Sequence, residues 1–176
     1  MENFIITKAV FEDAEKVSSL IVELLEAMNS NRKDRFIIDA DLYRRVTSKI
    51  LVKDEFAAFL AYSNTNTIDP IGVITIVESL AIYNLGNYGT ITELFVKENY
   101  RSHGLGSLLI NTAKQYCLNR GWAKLEVGAP LESEWPQTMQ FYKANEFKEK
   151  GPKLRLEITA TQSFPPASPI QKIAPL

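Results

Sequence analysis

The segment Thr92-Glu93-Leu94-Phe95-Val96, followed after four residues by Arg101-Ser102-His103-Gly104-Leu105-Gly106, runs from a strand-like stretch into a glycine-bearing turn. Leu105, Leu108, Leu109, Thr112, Ala113, Tyr116 and Cys117 then recur at helical spacing, and Gly121 ends the run. A turn of this kind presents several backbone N–H groups, and the helix start adds about half a positive charge. Gly104 and Gly106 let the backbone approach a ligand closely, and Arg101 adds a cationic donor at the same mouth. The segment is therefore read as a phosphate or diphosphate site. A Walker loop is excluded, because Gly106-Ser107 lacks the lysine. A dinucleotide fingerprint is excluded as well, since its third small residue is replaced by Leu109.

The elements on either side set the fold class. Phe4-Ile5-Ile6 reads as a short strand, and Phe11, Ala14, Val17, Leu20, Ile21, Leu24, Leu25 and Met28 mark an amphipathic helix. A weaker helix is expected over 40–51, then strands over 56–62 and 71–77. Gly86-Asn87-Tyr88-Gly89 is read as a break before a strand over 90–96. A short strand over 124–127, a proline-opened helix over 136–145 and a last strand over 154–158 complete the order. The pattern predicts a mixed α/β (α+β) domain over 1–160, with one central, mostly antiparallel sheet flanked by helices. A proline-rich tail over 161–176 follows, with Pro165, Pro166, Pro169 and Pro175.

Composition narrows the function. Twenty basic residues against 21 acidic ones leave a formal net charge of -1, which offers no footprint for nucleic acid or an anionic membrane. No apolar run reaches the ~18 residues of a spanning helix, and the start lacks a secretory pattern. Cys117 and His103 are the only residues of their types. An internal disulfide is thus impossible, a site needing two His ligands is ruled out, no metal is expected, and a cytoplasmic setting is.

The strand ending Leu94-Phe95-Val96 and the run Arg101-x-x-Gly104-x-Gly106 resemble the coenzyme A signature of the GNAT superfamily of N-acetyltransferases. Thr138-Met139-Gln140-Phe141-Tyr142-Lys143-Ala144-Asn145-Glu146-Phe147 is similar to that family's second motif, a helix bearing Phe-Tyr and then a turn to Phe. The resemblance covers roughly residues 4–157 and is strongest over 91–147. It implies a GNAT-type fold and acetyl-coenzyme A as co-substrate. Its diphosphate would be held by Arg101, Ser102, His103, Gly104, Leu105, Gly106 and Ser107, and its pantetheine arm along Leu94, Phe95 and Val96. It also implies that Tyr142 faces the thioester sulfur. Trp135 stands where many relatives carry asparagine, and His103 where the loop often has glycine or a basic residue. Glu146 stands where glycine is common, so the turn before Phe147 is expected to differ.

Acetyl transfer to an amine sets two proton problems. An alkylammonium of pKa near ~10.4 must be deprotonated before attack, which costs on the order of 4–5 kcal/mol at neutral pH. The departing thiolate then benefits from an acid, for which Tyr142 is the candidate. Glu93 is the candidate base; strict alternation puts Ile91 and Phe95 on its side, and a bulge in the strand could re-aim it. Structural or water-relaying roles for Glu93 remain open alternatives. Cys117 lies on the buried stripe of its helix and is read as core rather than nucleophile. The expected reaction is direct transfer, in a ternary complex, to a small-molecule or peptide amine; the alternative is a non-catalytic acyl-coenzyme A sensor or regulatory module. Phe164, Ile170, Ile173 and Leu176 give the tail apolar character, so it is expected to dock in cis or across a homodimer, the alternative being a frayed terminus without a role.

Overall fold

The structure is a computed structural model in which residues 3–30 and 35–151 are described. Strands β1 (Phe4–Lys8), β2 (Phe56–Ser63), β3 (Gly72–Ala81), β4 (Gly86–Val96) and β5 (Leu125–Val127) form one sheet in chain order. The first four strands pair antiparallel and β5 joins β4 in parallel. Helices α1 (Ala14–Asn29) and α2 (Ala40–Leu51) precede β2, α3 (Leu105–Asn119) joins β4 to β5, and α4 (Pro136–Ala144) follows. The mixed, mostly antiparallel sheet flanked by helices is the architecture the sequence implies. Among the described residues no helix is long and apolar enough to cross a membrane. The strand expected over 154–158 and the tail lie outside the described residues.

Strand β2 shows why both helical layers exist. Ala57, Phe59 and Ala61 join a buried cluster with Ile74, Ile76, Ile91 and the α3 residues Leu105, Leu109, Ile110, Ala113 and Cys117. The alternate residues Ala58, Leu60 and Tyr62 pack instead with Val17 and Leu20 of α1, Val73 and Phe95. A strand covered on both faces reads as a continuous apolar run rather than an alternating one. The loop after α1 is tied back by Asn29, whose side chain donates to Phe36 O at 3.1 Å and accepts from Phe36 N at 2.7 Å.

One expected boundary is wrong. Gly86-Asn87-Tyr88-Gly89 does not break the chain; it is the first part of β4, pairing with Ala81 to Glu78 of β3. The turn is made earlier, by a short 3-10 segment at Ile82–Asn84 and by Leu85 at φ +60. Gly89 is a packing glycine: a Cβ there would stand 2.6 Å from Cys117 Sγ and 3.1 Å from Leu125 Cδ1. Close passage of α3 over β4, not a turn, requires it.

Candidate active site

The candidate phosphate loop is the β4–α3 connection. After Val96 the chain makes a 3-10 turn at Glu98–Tyr100, and Arg101 re-enters the extended region. Ser102 follows at φ +65, and Gly104, at φ +82, caps α3. Within this connection Tyr100 N and Arg101 N are bonded to Lys97 O and Glu98 O, and Leu108 N closes the first helical turn on Gly104 O at 3.0 Å. Among the described residues, no protein acceptor serves the amides from Ser102 to Ser107. A row of donors at the positive end of a 15-residue helix suits a polyanion. Gly104 leaves open space where its Cβ would stand.

Gly106 differs from Gly104. A Cβ at Gly106 would lie 3.0 Å from both Cε2 and Cζ of Phe141. The loop glycine expected to make room for a ligand therefore makes room for α4. Part of the donor capacity of Arg101 is used within the chain: Nε donates to Val96 O at 3.0 Å, and the guanidinium lies 5.9 Å from the Phe95 ring centroid. No carboxylate among the described residues pairs with it, and it remains exposed, as do Ser102 and His103.

Tyr142 is buried at 8% exposure in the α3 cluster, between the rings of Phe141 and Phe147 at 5.4 and 5.5 Å. Burial pushes its phenol up to about 12. Helix α4 ends through Glu146 at φ +70. The turn expected to differ keeps a glycine-like, left-handed conformation with glutamate in it, and Lys114 reaches Glu146 Oε2 at 2.9 Å. That ammonium holds the Glu146 carboxyl below its usual range. Trp135 caps α4 without a side-chain bond.

Glu93 is displaced from strict alternation by a bulge. Thr75 pairs with Glu93 but Ile76 pairs with Ile91, which leaves Thr92 as an extra residue in β4. Ile91 consequently faces α3, not Glu93's side, while Phe95 stays on the α1 side with Glu93. The Glu93 carboxylate accepts from Thr92 Oγ1 at 2.7 Å and from the buried Thr75 hydroxyl, and Glu93 N donates to Thr75 Oγ1 at 2.9 Å. Sequence reading missed both threonines, because their meeting depends on cross-strand register.

Glu93 and Tyr142 thus belong to opposite faces of the sheet. The pairing of β5 with β4 ends at Ile91 and Val127, so Thr92–Val96 run on beyond it. A concavity of about 540 Å³ lies elsewhere. Tyr83, Leu85, Arg120, Trp122 and Lys124 line it at the far end of α3, one helix length (roughly 22 Å) from the loop.

The chain matches the model of the Acetyltransferase (GNAT) family over residues 21–147. No curated protein matches it significantly. Similar solved structures include an integron cassette protein from the mobile metagenome of Cole Harbour Salt Marsh, 22% identical with a TM-score of 0.71, covering 89% of this chain and 91% of that one. An aminoglycoside acetyltransferase from an uncultured soil metagenomic sample is 22% identical with a TM-score of 0.67, over 90% of this chain and 97% of its own. The ribosomal-protein-alanine N-acetyltransferase of Brucella melitensis biovar Abortus 2308 is 15% identical with a TM-score of 0.68, over 89% and 99%. At such identities the likeness is one of fold.

Proposed function

This chain belongs to the GNAT acetyltransferase family, and from that premise we propose that it moves the acetyl group of acetyl-coenzyme A directly to a primary amine of a small molecule or peptide. The observation that carries the reading is the row of acceptor-free amides from Ser102 to Ser107 at the start of α3. It fits a diphosphate, with Arg101 as the adjoining cation and Leu94, Phe95 and Val96, which run on beyond β5, as the strand for a pantetheine arm. Direct transfer is favoured over a covalent acetyl-enzyme by Cys117. That thiol is 3% exposed, and burial pushes it up to about 11, so little thiolate exists at neutral pH.

Tyr142 is assigned to the leaving sulfur. A phenol held near 12 stays protonated at any working pH. Handing its proton fully to a thiolate of ordinary pKa ~8.5 would be uphill by about 1.36 kcal/mol per unit. The role supported is therefore donation of a hydrogen bond that strengthens as charge develops on sulfur. Glu93 is assigned to the amine, accepting its proton directly or through one water.

Calorimetry of acetyl-coenzyme A binding tests the site, and thiol release with polyamines, aminoglycosides, amino acids and peptides tests the reaction. Binding that Gly104→Val abolishes without unfolding the protein, together with turnover of at least one amine, is the expected result. Unchanged affinity in folded Gly104→Val overturns the loop assignment. Tight binding with no turnover across the panel selects the non-catalytic sensor instead.

A further inference from the structure

The bulge at Thr92 does more than turn Glu93 out of alternation. A bulge sets two successive side chains on one face of a strand, opposite a single residue of the partner. Here the two are Thr92 and Glu93, and the single residue is Thr75. Thr75 is 1% exposed, and its hydroxyl is the hub of the group. It accepts from Glu93 N at 2.9 Å, donates to Glu93 Oε2 and lies 2.7 Å from Thr92 Oγ1, which itself reaches Oε2 at 2.7 Å. Both contacts converge on one oxygen. Among the described residues Oε1 has no partner, and no cation pairs with the carboxylate; Lys97, further along the chain, is engaged by Glu23 at 3.2 Å.

One oxygen is anchored and the other is presented. We propose that Thr75, seconded by Thr92, is the positioning residue that holds Glu93 with Oε1 free to take a proton from the acceptor amine. A free glutamate has three side-chain torsions and loses reach by sampling them. A hydroxyl fixed inside the sheet, bonded to both main chain and carboxylate of the same residue, removes that freedom before the substrate arrives. Thr75 also explains why a hydroxyl stands in the otherwise apolar buried run from Val73 to Ile76. The proposal rests on the reading of Glu93 as the base.

The test compares Glu93→Gln, Thr75→Val, Thr75→Ser and Thr92→Val in steady-state turnover from pH 6 to 10, with calorimetry of acetyl-coenzyme A binding. Glu93→Gln should lower kcat ~10²-fold or more. Thr75→Val, nearly isosteric but without the hydroxyl, should lower kcat about tenfold and move the acid limb of the profile to higher pH, with cofactor affinity unchanged. Thr75→Ser, which restores the hydroxyl, should recover most of the loss. Thr92→Val, on an exposed residue, should shift kcat in the same sense by less. Folded Thr75→Val with wild-type kcat and pH profile, beside an impaired Glu93→Gln, overturns the positioning role and leaves the base reading standing. Wild-type turnover in Glu93→Gln overturns both. Should Thr75→Val not fold, Thr92→Val decides, and an unchanged kcat and profile there overturns the proposal.

Discussion

The ring of Phe141 fills the place that a side chain at Gly106 would take, at 3.0 Å from the Cβ position. This contact joins the two parts of the proposed site, since Phe141 adjoins Tyr142 on α4 and Gly106 lies in the first turn of α3. Gly106→Ala should push the helices apart, costing about 1–3 kcal/mol and lowering kcat through Tyr142. Gly104→Ala, with open space but φ +82, should cost about 1 kcal/mol of stability and act chiefly on cofactor affinity. Thermal melts with binding isotherms of both variants separate the two glycines; a wild-type Tm and kcat in Gly106→Ala would show that the contact is slack.

Tyr142→Phe should reduce kcat ~10²–10⁴-fold with little change in acetyl-coenzyme A affinity. The raised pKa carries a second expectation. In the unfolded chain the phenol ionises near 10, whereas burial holds the folded one at about 12. The unfolded state therefore loses its proton first, so the contribution is intact below pH 10 and is lost as pH rises from 10 to 12. Urea unfolding of wild type and Tyr142→Phe across that range should show a shallower decline in the variant. Parallel curves would mean that the hydroxyl is hydrated rather than buried.

Gly89→Ala should destabilise by about 1–3 kcal/mol, because its Cβ would come within 2.6 Å of Cys117 Sγ. Removing the sulfur gives the new methyl room, so Gly89→Ala with Cys117→Ala should cost less than the sum of the two single changes. A four-member denaturation cycle measures the coupling, and additivity would rule out the steric account.

Glu146 bears a left-handed backbone at φ +70, which suits glycine. Its ion pair with Lys114 is exposed on the glutamate side and offsets little. Glu146→Gly should therefore raise stability by about 0.5–1 kcal/mol with turnover retained. A lower Tm in the variant would assign more to the Lys114 pair than an exposed bridge ordinarily contributes.

Much of this molecule is legible along the chain. Helical spacing from Ala14 to Met28 and from Leu105 to Cys117 is a local property, and so is the apolar run of β2. The loop between Val96 and Leu105 declares itself through Gly104 and the helix it opens. The misread stretch is instructive: Gly86 and Gly89 look like punctuation, but Gly89 answers to Cys117, which lies in a helix formed later in the chain.

What the sequence by itself determined is the order of elements, the family motifs and the place of the glycine-bearing loop that opens α3, all set by neighbours within a few positions. The tertiary structure alone decided that Thr92 and Glu93 share a face with Thr75, that Phe141 claims the space at Gly106, and that Glu93 and Tyr142 approach from opposite sides of the sheet. These depend on strand register and on helices packed over distant residues. A one-residue bulge changes which side a carboxylate faces while leaving every local pattern in the sequence unchanged.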